Sequence, residues 1–502
     1  MTDSKLRRLR LLSQIVFFTV FSSGILMAGS HYWPFPGDFF FRLDPLVAFV
    51  AMFTSGALIS GLMFSLAILA LTLFLGRFFC GWICPLGALI DFFEWITHGY
   101  HRKQRDPNRL NQLSLIKFGL LILIVAASGL SFQFIYFFDP IVITTRFMGM
   151  MLLPIQKAFF QLTPFAVQHS VQFLVFTLGI LLLSLLARRF WCRTICPMGA
   201  LLGLVARFSP FGFVQKDCKA CPSCQKKCRT GAIADSKAQI TQAQECIRCF
   251  DCLDACPQRT RVFTCNERPS NQPHPGRLSR RSFLAWSGGG IIGSAVIAGN
   301  AGAMSANKSL LRPPHSPDEE VFLDLCIRCQ ACVAICPTNA LQPMLLQSGL
   351  YGLWTPTIMP SIGECKVDCN KCSTVCPTQA IAHFDISTKH HLKIGTAVLS
   401  KDRCIPYAEG MQCGKCITKC PTAAIGYFEQ DNLQFPAQID FLLCIGCGVC
   451  QNICNEQTMD APAIIVTAYG RNTPSGVSED TIKTYLEKQL RDDSWEYGLT
   501  RK

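Results

Sequence analysis

The chain has 502 residues, half of them apolar, with a mean hydropathy of +0.29, thirty-eight Phe and a formal net charge of +14. Its Lys and Arg gather beside apolar runs, where they set membrane topology, so the charge does not point to nucleic acid. Twenty-four of the twenty-nine cysteines fall into six compact groups, mostly C-x2-C-x2-C-x3-C, which excludes a disulfide-stapled secreted domain and points to iron–sulfur ligation.

Lys5, Arg7, Arg8 and Arg10 precede an apolar run from Leu11 to about Ala28, long enough to span a bilayer with the N-terminus inside. An aromatic, Pro-rich loop from His31 to Pro45 leads to a second run, Val47 to about Leu75. The basic segment His98 to Arg109 is then cytoplasmic on charge grounds. A third span, Leu115 to about Phe134, and a fourth, Val171 to Ala187, flank an outer loop whose few charges are Asp139, Arg146 and Lys157.

The second and fourth spans end in the same motif, R-F-x-C-x3-C-P-x-G-A-L, once as Arg77 to Leu89 and once as Arg189 to Leu201. Duplicated helical pairs often place a site at their mutual interface, so Cys80, Cys84, Cys192 and Cys196 are expected to meet near the cytoplasmic surface. There the four thiols hold a seventh cluster or a metal, cycle between dithiol and disulfide against a membrane carrier, dock a partner, or simply pack between helices. Asp91, Glu94 and His98 follow at near-helical spacing, either to pass protons or to mark the water interface. His31 and Tyr32 are open to the same two readings.

The first soluble block carries Cys218, Cys221, Cys224 and Cys228, then Cys246, Cys249, Cys252 and Cys256. In two-cluster ferredoxins the cysteine after the x3 gap reaches the other cluster, which gives Cys228 to the second group and Cys256 to the first. Such a unit is too small for much of a core without its metal centres. Cys265 is left over as a plain buried or free thiol.

A Pro-rich linker, Asn266 to Gly276, leads to Ser279-Arg280-Arg281-Ser282-Phe283-Leu284 and a Gly-rich apolar run to Ala303. Paired arginines before a modest apolar segment form a twin-arginine signal for exporting folded, cofactor-loaded protein; the alternative is a fifth anchor obeying the positive-inside rule. Both readings put residue 306 onward outside the cytoplasm. Ala301-x-Ala303 is a candidate cleavage site.

The exported half has four groups: Cys326, Cys329, Cys332, Cys336; Cys365, Cys369, Cys372, Cys376; Cys404, Cys413, Cys416, Cys420; and Cys444, Cys447, Cys450, Cys454. One C-x2-C pair would serve zinc as well, but six full groups, most ending in x3-Cys-Pro, favour six [4Fe-4S] clusters. No Walker loop, dinucleotide fingerprint or C-x-x-C-H haem motif competes. The tail, Ser478 to Lys502, is charged and carries no recognisable chemistry.

The expected architecture is an α-helical membrane domain with four spans plus a fifth signal or anchor span, joined to α+β ferredoxin-like poly-[4Fe-4S] domains. The boundaries are 1–210 for the four-span domain, 211–265 for the cytoplasmic two-cluster block, 266–306 for linker and signal, 307–470 for the exported four-cluster domain and 471–502 for the tail.

With its four spans, two C-x3-C-P motifs and two ferredoxin groups, the stretch from 1 to about 265 resembles NapH, the membrane subunit of the quinol dehydrogenase that serves periplasmic nitrate reductase. Residues 277 to about 465, with the twin-arginine signal and Cys404-x8-Cys413, resemble its partner NapG, and related pairs serve methylamine dehydrogenase maturation. Cys365-x3-Cys369-x2-Cys372 departs from the NapG spacing. The resemblance implies a multi-pass protein of a bacterial inner membrane with its first half facing the cytoplasm and its last domain periplasmic. It implies oxidation of membrane quinol at the C-x3-C-P domain and delivery of electrons to a periplasmic c-type cytochrome or terminal reductase, with the twin-arginine translocase as export partner. The alternatives are an electron-donating maturation factor or a ferredoxin-fed conduit without quinone. It also implies nested pairing of the exported groups, first with fourth and second with third; adjacent pairing is the alternative.

Overall fold

The computed structural model describes residues 3–27, 36–97, 113–129, 133–156, 170–215, 221, 223–233, 241–258, 260–265, 288–289, 310–345, 351–457 and 461–475. The twin-arginine stretch, the 266–276 linker, Cys218, His31, Tyr32, the His98 to Arg109 segment and the 478–502 tail lie outside the described residues, as does all but Gly288 and Gly289 of the apolar run after the paired arginines. The chain divides into two compact units. One takes Met1–Ile155, His169–Ala303 and Asp324–Cys329; the other takes Gln156–Gln168, Met304–Leu323 and Gln330–Lys502.

The first unit begins with α1 (Asp3–Leu26), the one helix among the described residues long and apolar enough to cross a bilayer. The second apolar run does not form one span. It splits into α2 (Pro45–Ser55), which Asp44 caps, and α3 (Ser65–Leu75), because Gly56, at φ 63°, ends the first helix in the left-handed region. The third and fourth runs form α6 (Ile116–Ser128) and α8 (Ser170–Leu183), with α7 (Pro140–Gln156) between them. Each Cys-Pro motif folds as a five-residue turn of helix and a longer helix: α4 (Phe78–Trp82) with α5 (Pro85–Ile96), and α9 (Phe190–Thr194) with α10 (Pro197–Ala206).

The two-cluster block, expected as a domain of its own, is part of this unit. Its strands β1 (Phe211–Gln215) and β2 (Arg261–Cys265) pair antiparallel, Phe211 opposite Cys265 and Gln215 opposite Arg261, and Phe213, Phe250 and Phe263 close its core. A buried ionic joint fixes it to the helices: Glu245 accepts from Lys117 Nζ at 2.5 Å and from Arg77 Nη1 at 3.3 Å. Trp82 Nε1 donates to the Arg248 carbonyl at 3.0 Å. The segment Asp324–Cys329 also belongs here; Leu325 packs on Ala48, Ala51, Ile59 and Leu62, and Arg146 donates to the Arg328 carbonyl.

The second unit is built from two-stranded antiparallel ribbons and helices of four to nine residues, the α+β pattern expected of ferredoxin-like folds. The ribbons are β3 (Leu341–Pro343) with β4 (Pro356–Ile358), β5 (Thr396–Leu399) with β8 (Ile464–Thr467), and the hairpin of β6 (Ile425–Gln430) and β7 (Leu433–Ile439). So little sheet buries little apolar surface, and cysteines fill much of the interior.

Candidate metal centres and a duplicated thiol site

Cys84 and Cys196 are the N-caps of α5 and α10, each followed by Pro at the first helical position. Their Sγ atoms accept from the Gly87 and Gly199 N–H groups at 3.5 and 3.3 Å. Cys80 and Cys192, one turn earlier, lie within electrostatic reach of both, so the four thiols converge as the repeat predicts. The first arginine of each motif crosses to the other repeat: Arg77 reaches the Gly199 turn and Arg189 the Gly87 turn, where Arg189 Nη1 also donates to the Cys80 carbonyl at 2.9 Å.

The structure places Asp91 in an ionic cluster beside the second repeat. It is buried among Arg10, Arg189, Arg229 and Gln14, with both oxygens 2.8 Å from Arg189. Burial alone would raise its pKa, but the Arg189, Arg229 and Arg10 guanidinium groups hold it well below the usual carboxylate range. Glu94 Oε1 caps the Arg189 backbone N–H at 2.5 Å. His98 lies outside the described residues.

In the ferredoxin-like regions the last cysteine of a group leaves it for its neighbour. Cys228 lies against Cys246, Cys249 and Cys252, as expected. Cys336 joins Cys365, Cys369 and Cys372; Cys420 joins Cys444, Cys447 and Cys450; Cys454 joins Cys404, Cys413 and Cys416. Neighbouring groups therefore pair, and the nested order is corrected. The β6–β7 hairpin leads directly from Cys420 to Cys444, so adjacent groups close on each other locally. One backbone hydrogen bond, Cys365 N–H to the Cys447 carbonyl at 2.8 Å, joins two of these quartets.

These quartets fit a [4Fe-4S] group. Two of them, Cys420 with Cys444, Cys447 and Cys450, and Cys404 with Cys413, Cys416 and Cys454, line one pocket each. Among the described residues no three His, Cys, Asp or Glu side chains converge closely enough for a single metal ion. Three loops, Cys246-Ile-Arg-Cys249, Cys326-Ile-Arg-Cys329 and Cys444-Ile-Gly-Cys447, repeat one backbone course: the residues just before and just after the second cysteine have positive φ, as Arg248 and Phe250, Arg328 and Gln330, Gly446 and Gly448. Such turns swing backbone N–H groups toward a bound anion, here an iron–sulfur thiolate core. Burial pushes the Cys249 and Cys416 thiols up to about 12, and an iron–sulfur cluster bound there would take them as thiolates, displacing their protons.

Three families match parts of the chain. A 4Fe-4S binding domain covers residues 57–104 and 171–215, a 4Fe-4S dicluster domain residues 314–381, and a second 4Fe-4S binding domain residues 401–423 and 442–459. The chain is 27% identical over 218 residues to the putative electron transport protein YccM of Escherichia coli strain K12, which is 41% of this chain and 55% of that protein. It is 25% identical over 213 residues to the ferredoxin-type protein NapH of the same organism, 39% of this chain and 63% of that one. The chain is thus similar to ferredoxin-type proteins of the NapH kind and carries several 4Fe-4S binding domains. It is also 27% identical over 286 residues to the methylamine utilization ferredoxin-type protein MauN of Methylorubrum extorquens, 53% of this chain and 91% of that one. No solved structure matches.

Residues other than the cysteines also approach the thiols. Thr338 and Thr422 place hydroxyls 3.7 Å from Cys336 and Cys420 Sγ, and Thr230 lies 4.0 Å from Cys228 Sγ. The recurrent threonine two places after the last cysteine was the available signal. Lys389 had none: it is buried beside Cys365 and Cys372, its Nζ donating to the Cys369 carbonyl at 2.7 Å and to that of Lys366. Cys265, expected as a buried or free thiol, ends β2 exposed.

Proposed function

We propose that this polyferredoxin is a membrane-bound quinol dehydrogenase that passes electrons to an acceptor outside the cytoplasm. The observation that carries this reading is the convergence of Cys80, Cys84, Cys192 and Cys196 at the joint of two repeated helical motifs, bonded directly to the two-cluster block. A duplicated thiol site between apolar helices suits a membrane-borne electron source better than a soluble one. The exposed apolar residues of α1, among them Leu11, Leu12, Ile15 and Val16, support a membrane location. In this reading the six cysteine groups bind six [4Fe-4S] clusters, which when bound supply one-electron storage at each stop. Cys228, Cys336, Cys420 and Cys454 cross-link neighbouring groups, and the Cys365 to Cys447 hydrogen bond gives the exported half a through-bond step between quartets.

The test is EPR of the purified, oxidised protein after anaerobic addition of a reduced menaquinol analogue, compared with dithionite. Quinol should reduce a substantial share of the [4Fe-4S] signal, and Cys80→Ser with Cys196→Ser should abolish that while leaving reduction by dithionite intact. Reduction by dithionite or ferredoxin alone would sink the quinol reading and favour a ferredoxin-fed conduit or a maturation factor.

A further inference from the structure

Two stretches that none of the motifs above uses, Leu43-Asp44-Pro45-Leu46-Val47 and Phe138-Asp139-Pro140-Ile141-Val142, start α2 and α7 in the same way. In the first, Asp44 Oδ1 accepts from the Leu46 and Val47 N–H groups at 2.9 and 3.1 Å. In the second, Asp139 Oδ1 accepts from Ile141 and Val142 at 2.9 and 3.0 Å. One oxygen of each carboxyl is thereby used. The other, Oδ2, is buried in both residues with no donor, and both residues are 0% exposed.

The two side chains are set against each other at hydrogen-bonding range. Carboxylate oxygens only accept, so this contact closes only when a proton lies on it. Two ionised carboxylates in contact and away from water would repel strongly, and no donor faces either Oδ2 to offset the burial of both charges. Asp44 is the charged group that acts on Asp139. Arg146, two turns along α7, is turned to the Tyr136 and Arg328 carbonyls. A pair of carboxyls sharing one proton titrates as a unit and can take up a second.

We propose that Asp44 and Asp139 form one proton-binding site at the junction of the two repeats, holding a single shared proton and accepting another from a membrane quinol as it is oxidised. The second half of this rests on the quinol reading above. The balance is that of a hydroquinone losing two electrons and two protons. The electrons pass singly to two oxidised clusters, one proton converts the pair from its singly to its doubly protonated form, and the other leaves to water.

The shared proton is read without quinol, by infrared spectroscopy of the full-length, cluster-loaded protein at neutral pH in light and heavy water. The wild type should show the carbonyl stretch of a protonated carboxylic acid, shifted down on deuteration, and Asp44→Asn and Asp139→Asn should each remove it. A single Asn keeps the contact, because its amide donates to the remaining carboxylate, so these variants should fold and keep their clusters. A wild type without the band, or a band surviving in both variants, overturns the site. With the menaquinol analogue, both variants should be reduced roughly 100-fold more slowly at unchanged dithionite reduction. An unchanged quinol rate overturns the link to quinol. A wild type that quinol does not reduce at all fails the quinol reading instead, and the infrared result still decides the proton site.

Discussion

Arg77 of the first repeat lies against Gly199 of the second: a Cβ built on that glycine would sit 2.7 Å from Arg77 Nη2. Arg189 takes the equivalent place at Gly87, at 3.4 Å. Each repeat thus sends an arginine across the interface to the Cys-Pro-x-Gly turn of its mate, which explains why the motif carries both an arginine before its first cysteine and a glycine after its second. Arg77 cannot retreat, because the Gln244 carbonyl and Glu245 hold its Nη1 at 2.9 and 3.3 Å.

Gly199→Ala should therefore overpack a buried joint and lower stability by about 1–3 kcal/mol. Thermal unfolding of the detergent-solubilised protein, followed by helical circular dichroism, reads this. An unchanged melting temperature would show that Arg77 yields freely.

Asp91→Asn leaves Arg10, Arg189 and Arg229 without their shared carboxylate and should cost about 3–5 kcal/mol, the scale for breaking a buried ion pair. The sign with pH follows from the depressed pKa of Asp91. Its contribution is fully present above the ordinary carboxylate value of about 4 and is lost as pH falls through the lower folded value. Melting curves of wild type and variant should thus run parallel at neutral pH and approach each other only in strong acid.

Pairing of neighbouring groups makes a counting prediction. Cys336 and Cys365 line the same quartet, so Cys336→Ser, Cys365→Ser and the double variant should each lose one cluster, about four iron atoms. Nested pairing would put the two cysteines on different clusters, and the double variant would lose about eight. Iron analysis of the purified proteins decides between them.

Lys389→Met removes a buried ammonium from beside Cys365, Cys369 and Cys372 and should lower the reduction potential of that cluster, because the reduced form is the more negative one. A unit charge at ~6 Å and an effective dielectric of about 20 corresponds to roughly 3 kcal/mol, on the order of 100 mV. Redox titration followed by EPR should show one component shifting down and the others unmoved.

Much of this protein is legible in its sequence because its chemistry is local. Six cysteine groups specify iron–sulfur ligation through spacings of two and three residues, and the crossing of Cys228 to Cys246, Cys249 and Cys252 follows from that spacing alone. The twofold occurrence of the Cys-Pro motif likewise announces four converging thiols. The course of the second apolar run is less legible, since hydropathy registers composition and passes over Asp44-Pro45 and Gly56, where the helix actually starts and stops.

By itself the sequence determined which residues carry the redox chemistry and that they come in repeats, because a cluster loop is specified within about ten residues of chain. Only the tertiary structure decided which quartets form, which arginine crosses to which turn, and that Asp91 anchors a joint while Asp44 meets Asp139. Those outcomes depend on contacts between residues some 30 to 170 positions apart, set by how the helices pack, and no local spacing encodes them.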